Sequence, residues 1–471
     1  MSFVGRNFEL GILKNAYNEN EFSFIPIYGR RGVGKSRLIQ EFARDKLNIL
    51  LDGMEYPFFL EDLKKLATTV LHVDDTKFQL TTFSEVLDLV YKIAQKVKLL
   101  FIIDETQFFA EDPNRLWNLQ YAIDHKFVNT NMMLIVSGSS LSFMKKQILG
   151  YESPIYGRRT EQLYILPLKF THMKEFVPGY SLEDQLIIFA ATGGIPRYLN
   201  LLKKTSPLEE NLIRNFFSPS GFLLLEPGNL FQQEFNDPAI HESIVKLIAN
   251  GTNTFYDIKA KLKLNLTDKE LNNYIESLLL TEIIKAEVPA MEKFNSSSLR
   301  YRLKDEMYRF WYCIVEPHID VISGFNGSLA YKAILPELNS FLSTTFENIC
   351  IQYMIDNLNS MPMIFGRIGR WWGNNNLTKS EMEIDFIAHG SNKMSAIFGE
   401  CKWTNKLLDK SVIDKLLKNA EYFSQFNTKY YYFFTKSGFT KGAQEIAQDS
   451  PNIKLITFDE MFPVSEKQLL L

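Results

Sequence analysis

Apolar residues along this chain fall into short runs separated by longer amphipathic stretches. Phe24–Tyr28, Leu99–Ile103 and Met132–Val136 are nearly unbroken apolar runs, too short for buried helices and right for buried strands. The first ends in Gly29, the second in two acids, and the third in Ser137-Gly138-Ser139-Ser140. Helical spacing predicts helices over Lys35–Lys46, near residues 60–72 and near 83–97. Strands alternating with helices imply a parallel sheet covered on both faces, the α/β class.

From about Leu168 to Phe231 the pattern turns helical, punctuated by Thr192-Gly193-Gly194-Ile195-Pro196, and predicts a helical lid. Three helical segments follow, Ile240–Ala249, Phe255–Lys263 and Asp268–Leu280, then strand-like runs at Ile283–Val288 and Leu299–Leu303 with a turn at Asn295-Ser296-Ser297-Ser298. Three short helices and a hairpin predict a winged helix. After a helical stretch to about residue 358, strands are expected at Ile384–His389, Ser395–Trp403 and Tyr430–Thr435, with a helix over Asp409–Phe423. The expected domains are a P-loop core over 1–165, a lid over 166–235, a winged helix over 236–305, and a helical connector with a second α/β unit over 306–471.

At 471 residues the chain exceeds what one hydrophobic core organises. A net charge of −3 supplies no global attraction to nucleic acid or anionic membrane, so any such surface has to be local. The three cysteines lack metal-like spacing and read as buried thiols. No apolar run approaches the length of a membrane span and no leader pattern opens the chain, which suggests a cytoplasmic protein without membrane partners.

Gly29-Arg30-Arg31-Gly32-Val33-Gly34-Lys35-Ser36 fits GxxxxGK[ST] completely and lies between a predicted strand and a predicted helix. Glycines let the backbone wrap phosphate, with its N–H groups and the helix N-terminus facing the charge. Lys35 is expected on the β- and γ-phosphates and the Ser36 hydroxyl on Mg²⁺. The expected nucleotide set is Gly29, Arg30, Gly32, Val33, Gly34, Lys35, Ser36 and Arg37. Leu99–Ile103 then delivers Asp104 as the magnesium carboxylate and Glu105 as the group that polarises an attacking water. Ser139, past the third strand, is a candidate γ-phosphate contact, and Gln107 a weaker one. Arg158 and Arg159 would bring positive charge to the transferring phosphate, a solvated pair being the competing reading.

Taken together, FVGRNFEL, GRRGVGKS, LLFIIDE, SGSS, YGRR and GGIPRYL resemble, in this order, the archaeal and bacterial AAA-like ATPases of the STAND class, over about residues 1–235. The resemblance implies that the FVGR box lies near adenine, that Pro196 of Gly194-Ile195-Pro196 contributes to the pocket from the lid, and that ATP turnover is slow and switch-like. ATP or ADP is the expected ligand. Self-association is a further expectation, because the chain that supplies an arginine to ATP is not fixed by sequence.

Near the C-terminus, Asp385 on one strand faces Glu400 and Lys402 on the next, and a side-chain period of two puts the last two on one face. Two carboxylates suit a divalent metal, and a lysine suits a developing phosphorane charge. This resembles the PD-(D/E)xK nuclease pattern, which implies a restriction-endonuclease-like domain with catalytic Asp385, Glu400 and Lys402. Glu347 joins Asp385 and Glu400 as a ligand for Mg²⁺ or Mn²⁺ in that pattern. No proline precedes Asp385, a departure from it. DNA is the implied partner. Judged by spacing alone, Glu400 and Lys402 are equally a same-face ion pair of an edge strand. The lysines of the winged helix, Lys259, Lys261, Lys263 and Lys269, suit phosphates or a solvated face alike.

The composite expectation is an ATPase gating a metal-dependent DNA nuclease. Its rivals are an ATP-dependent signalling or DNA-binding switch with an inactive nuclease-like domain, a processive motor for which no additional helicase motif is present, and a small-molecule kinase, disfavoured by Glu105 beside Asp104.

Overall fold

The computed structural model describes residues 3–53, 56–74, 78, 80–294, 298–324, 326–375, 380–390 and 394–463. The chain divides into two compact units, Met1–Phe176 with Gly194–Leu201, and Val177–Gly193 with Leu202–Leu471.

The first unit is built on five parallel strands: β1 (Ser23–Tyr28), β2 (Asn48–Asp52), β3 (Leu100–Asp104), β4 (Met133–Gly138) and β5 (Leu163–Tyr164), in the spatial order β2-β3-β4-β1-β5. Both faces are covered, so the central strands are near-continuous apolar runs, broken at their ends by Ser23, Asp104 and Ser137. Ile25, Ile27, Ile102 and Ile135 pack with Leu38 and Phe42 of the helix Lys35–Ala43 and Leu13 of the helix Asn7–Asn18. Phe24, Phe101, Ile103 and Val136 pack on the other face with Leu63, Val86 and Ile93. The helix Phe83–Ala94 starts at a complete capping box between Thr82 and Glu85, worth about 1 kcal/mol. Insertion of β4 between β1 and β3 brings the C-terminal ends of all three to one edge.

In the second unit the helices Pro238–Ala249, Phe255–Leu262 and Asp268–Leu280 precede an antiparallel hairpin of β6 (Ile284–Glu287) and β7 (Arg300–Leu303). The turn expected at Asn295-Ser296-Ser297 lies outside the described residues. A long helix, Gly327–Asp356, leads to β8 (Arg367–Asn375), β9 (Ser380–His389), β10 (Ser395–Lys402), β11 (Thr428–Thr435) and β12 (Ile453–Thr457). Their order is β12-β11-β10-β9-β8, antiparallel from β8 to β10 and parallel from β10 to β12. Phe398, Ile413, Leu416 and Phe433 form the core under the helix Lys410–Glu421. Across the sheet Trp403, 3% exposed, packs between Phe346 and Phe458, each ring centroid 5.1 Å away.

Among the described residues no helix is long and apolar enough to cross a membrane.

Candidate functional site

The loop after β1 is shaped by glycines. Gly32 and Gly34 hold φ of 83° and 97°, where a side chain is strained. A Cβ on Gly32 would also stand 2.9 Å from Arg197 Cβ and 3.1 Å from Ile195 Cγ2. The Arg197 N–H donates to Gly32 O at 3.2 Å, and Pro196 Cγ lies 3.9 Å from where a Cβ on Gly34 would stand. The GGIPR segment is thus clasped to the loop. Gly34 caps the following helix without a side chain, so the first-turn N–H groups face outward unmasked. Lys35, 5% exposed, folds back to donate to Gly29 O at 2.9 Å and Arg30 O at 3.3 Å.

Ser36 and Asp104, distant in sequence, meet: the Ser36 hydroxyl donates to Asp104 Oδ2 at 2.9 Å. Glu105 sits at φ 47°, a left-handed conformation costing about 1–3 kcal/mol for a residue with a side chain. Ser139 Oγ and Gln107 Nε2 both donate to its Oε2, at 2.8 and 2.6 Å, and Gln107 also donates to Ser139 Oγ at 3.3 Å. Thr106, fully buried, ties β3 to β4 through Ser137 O at 2.7 Å. Ser36, Asp104, Glu105, Gln107 and Ser139 therefore converge on one sheet edge beside the loop.

Arg6 belongs to the same site, although its sequence context pointed only to adenine. It is 6% exposed, and its guanidinium donates to Val33 O at 3.0 Å and Leu166 O at 2.7 Å while pairing with Glu9 at 3.0 Å. Burial pulls its proton affinity down, against the pull of Glu9. Charge-assisted bonds of this kind contribute roughly 1.5–3 kcal/mol each, enough to fix the loop before any ligand arrives.

Two expected contributors fall elsewhere. Arg158 is committed to Asp124 by two bonds of 2.7 Å and to the carbonyls of Pro154 and Tyr156. Arg159 lies over the Tyr156 ring at 5.9 Å. Thr160 bonds Phe24, at the N-terminal end of β1, whereas the loop leaves its C-terminal end. Four residues of strand, about 13 Å, separate the two ends, so the Arg159 backbone starts from the end of β1 opposite the loop. Arg37 is largely exposed and faces Glu41 at 3.8 Å.

At the C-terminal cluster, β9 and β10 pair up to Phe386↔Gly399 and then part. The Asp385 carboxylate fills the fork, accepting from Cys401 N–H at 2.7 Å. Lys402 pairs with Glu400 at 2.5 Å, the same-face relation expected of alternating positions. Burial, then the charges of Glu400 and Glu347, push the Asp385 carboxyl up to about 7. Burial opposes the charge on Lys402, but Glu400 outweighs it and holds the proton more firmly than usual. Glu347 stands near enough for its charge to act on Asp385, and Arg370 grips it with two bonds of 2.8 and 3.0 Å. Among the described residues no group of three or more His, Cys, Asp or Glu side chains is arranged to hold a metal ion. Of the three expected carboxylates, Asp385 and Glu400 meet at the strand fork, and Glu347 is held by Arg370, with which a metal would compete.

The four candidate lysines of the three-helix segment are partly committed. Lys259 pairs with Asp268 at 2.5 Å, and Lys261 donates to Thr252 at 3.0 Å.

Over 415 residues the chain is 32% identical to an uncharacterized protein of Methanocaldococcus jannaschii, covering 87% of this chain and 89% of that one. Residues 3–202 match the family described as an ATPase domain predominantly from Archaea. The chain belongs to this archaeal ATPase family. Residues 311–417 of this ATPase match a second family, described as archaeal and bacterial proteins of unknown function. An uncharacterized ATP-binding protein of the same organism is 48% identical over 44 residues, 9% of this ATPase and 75% of that protein. Among solved structures, the Walker-type ATPase of Pyrococcus abyssi is 19% identical with a TM-score of 0.48, over 66% of this chain and 96% of its own. The ORC2 protein of Aeropyrum pernix is 15% identical with a TM-score of 0.41, over 69% and 95%.

Proposed function

We propose that this ATP-binding ATPase uses its nucleotide state to control a metal-dependent phosphodiesterase at the Asp385–Glu400–Lys402 cluster, with DNA as substrate. The observation that carries the ATP half is the Ser36–Asp104 contact of 2.9 Å beside Lys35. A hydroxyl and a carboxylate oxygen are the hard donors that Mg²⁺ takes alongside phosphates, so the residues fit that ion. Bound there, Mg²⁺ neutralises developing phosphate charge. Gly29, Arg30, Gly32, Val33 and Gly34 would turn their backbone toward the phosphates, and Lys35 would exchange its loop carbonyls for phosphate oxygens. Glu105 would orient the attacking water and take its proton. Its Oε2 already accepts from Ser139 and Gln107, so those bonds have to loosen first, which fits slow, gated turnover.

For the nuclease half, the support is Asp385 in the strand fork, crowded by Glu400. Two carboxylates suffice for Mg²⁺ or Mn²⁺, which keeps waters and phosphate oxygens in its remaining positions. Lys402 would stabilise charge on the scissile phosphate. The three helices and hairpin of residues 236–305, read as a winged helix, would supply a DNA-facing or interdomain surface.

A second reading is an ATP-dependent switch whose C-terminal domain binds without cleaving. The grip of Arg370 on Glu347 favours it. The deciding experiment is cleavage of supercoiled and linear DNA with Mg²⁺ or Mn²⁺, with and without ATP, by the wild type and Asp385→Ala. Metal-dependent nicking lost in the variant is expected, and ATP dependence would show the coupling. Absence of cleavage under every condition removes the nuclease half and leaves the ATPase in place.

A further inference from the structure

The second unit contains a cavity of about 640 Å³ between the hairpin β6–β7, the helix Pro238–Ala249 and the long helix Gly327–Asp356. That volume suits a small organic ligand rather than a few waters. Its walls are divided. Ile248, Ile314 and Phe341 give an apolar side, whereas Lys285, Arg302 and Arg370 project from the strands opposite. Glu337, exposed, is the acid at the lining.

The charges on the strand side do not balance. One carboxylate, Glu287, is shared by Lys285, by Arg302 at 3.2 Å and by Arg370 at 3.5 Å. Arg370 also holds Glu347, which leaves Lys285 and Arg302 sharing what remains of a single negative charge. Arg302 Nε is buried and forms no hydrogen bond, because Glu287 lies off its N–H direction. Burial and then the neighbouring Arg370 work against the Arg302 charge and outweigh the support of Glu287, Glu347 and Glu383. Burial likewise works against Glu287, but Lys285, Arg370 and Arg302 keep it ionised below the usual carboxylate range. Arg370 is 8% exposed, whereas Lys285 and Arg302 are each 31% exposed, so their charges are partly desolvated on the cavity wall and an anion there would be favoured.

We propose that this cavity is a binding site for a small phosphate-bearing anion carrying a ring or other apolar moiety. The phosphate pairs with Arg302 and Lys285, and the apolar part lies against Phe341 and Ile314. Arginine recognises phosphate through two parallel N–H bonds, and Arg302 lines the cavity with its Nε held beside Glu287 at 3.2 Å. The cavity is lined by no residue of the nucleotide loop, it adjoins the Asp385 cluster through Arg370, and it stands whether or not either proposed activity is found.

The test is calorimetric titration of pyrophosphate, and separately of AMP, into the full chain in EDTA. Lys35→Ala is the background, so that the nucleotide loop contributes little. Saturable one-to-one binding is expected, weakened at least tenfold by Arg302→Gln and by Lys285→Gln, and tightened severalfold by Glu287→Gln, which removes the competing carboxylate. The opposite signs separate a binding site from a merely structural cluster, whose loss would lower the melting temperature in all three variants without ordering their affinities. Equal affinity in all variants, or no binding of either probe at about 5 mM, overturns the proposal.

Discussion

The nucleotide loop and the C-terminal cluster solve the same problem, gathering charged groups that would meet phosphate, by different means. Around the loop the polar atoms are satisfied by backbone: Lys35 rests on Gly29 O and Arg30 O, and Arg6 on Val33 O and Leu166 O. In the C-terminal cluster most groups are satisfied by one another, Glu400 by Lys402 and Glu347 by Arg370, while Asp385 has the Cys401 N–H and is pushed up by burial and its acid neighbours. A site held by backbone keeps its shape when one side chain changes. A site held by mutual charges loses its balance, so its members have to be exchanged in pairs.

The largest effect that would sharpen this contrast is expected at Glu105. Glu105→Gln keeps the bond geometry to Ser139 but removes a proton acceptor, and should lower ATP turnover by about 10²–10⁴-fold with ATP affinity kept. Single-turnover hydrolysis equal to the wild type would end its role as the base. Next comes Arg370→Ala, which strands Glu347 in a largely buried setting while Glu287 keeps Lys285 and Arg302, and should cost about 3–5 kcal/mol in urea unfolding. A loss below 1 kcal/mol, on the order of a surface pair, would show that the cluster is not held by charge.

The pH dependence follows in size. The folded carboxyl of Asp385 is raised to about 7, well above its unfolded value near 4. Such an acid costs nothing below about pH 4, destabilises progressively as pH rises toward 7, and imposes its full penalty above. Asp385→Asn should therefore stabilise the protein by about 1–3 kcal/mol at pH 8 and not at pH 4, read as the difference between urea midpoints. Equal gains at both values would contradict the assignment. The smallest effect is expected at Arg159, beside the N-terminal end of β1. Arg159→Ala should leave ATP affinity of the dilute chain within about twofold, and a tenfold loss would put the residue back at the nucleotide.

What could be read from sequence followed from how locally each feature is encoded. The loop, its flanking strand and helix, and Asp104–Glu105 each occupy a contiguous stretch, and the described structure has Ser36 and Asp104 in contact. The three helices before the hairpin lie within a few residues of their expected bounds. By contrast β2 is a short edge strand, half exposed, and β8 is rich in Gly and Asn with a register break at Gly369/Trp371, so neither carries a strand pattern. Missing β8 meant missing Arg370, and with it the ion pair that holds Glu347. Arg6 was visible as a motif residue, but its bond to Val33 O spans 27 positions and could be found only in three dimensions. The one local signal for it was an arginine straight after Gly5, whose φ of 69° turns the chain toward the loop.

Trp403 has a use that none of this chemistry requires. It directly follows Lys402, it is clamped between Phe346 and Phe458, and the Lys436 ammonium stands 5.0 Å from its ring. Of the five tryptophans, Trp117 alone belongs to the first unit, and it is 58% exposed. The native chain thus carries a solvent-facing fluorophore in its first unit and a shielded one next to Lys402 in its second. Its emission has a red and a blue component, so a quencher dissolved in the buffer would dim the first and spare the second, letting the C-terminal cluster be followed optically without attaching a dye.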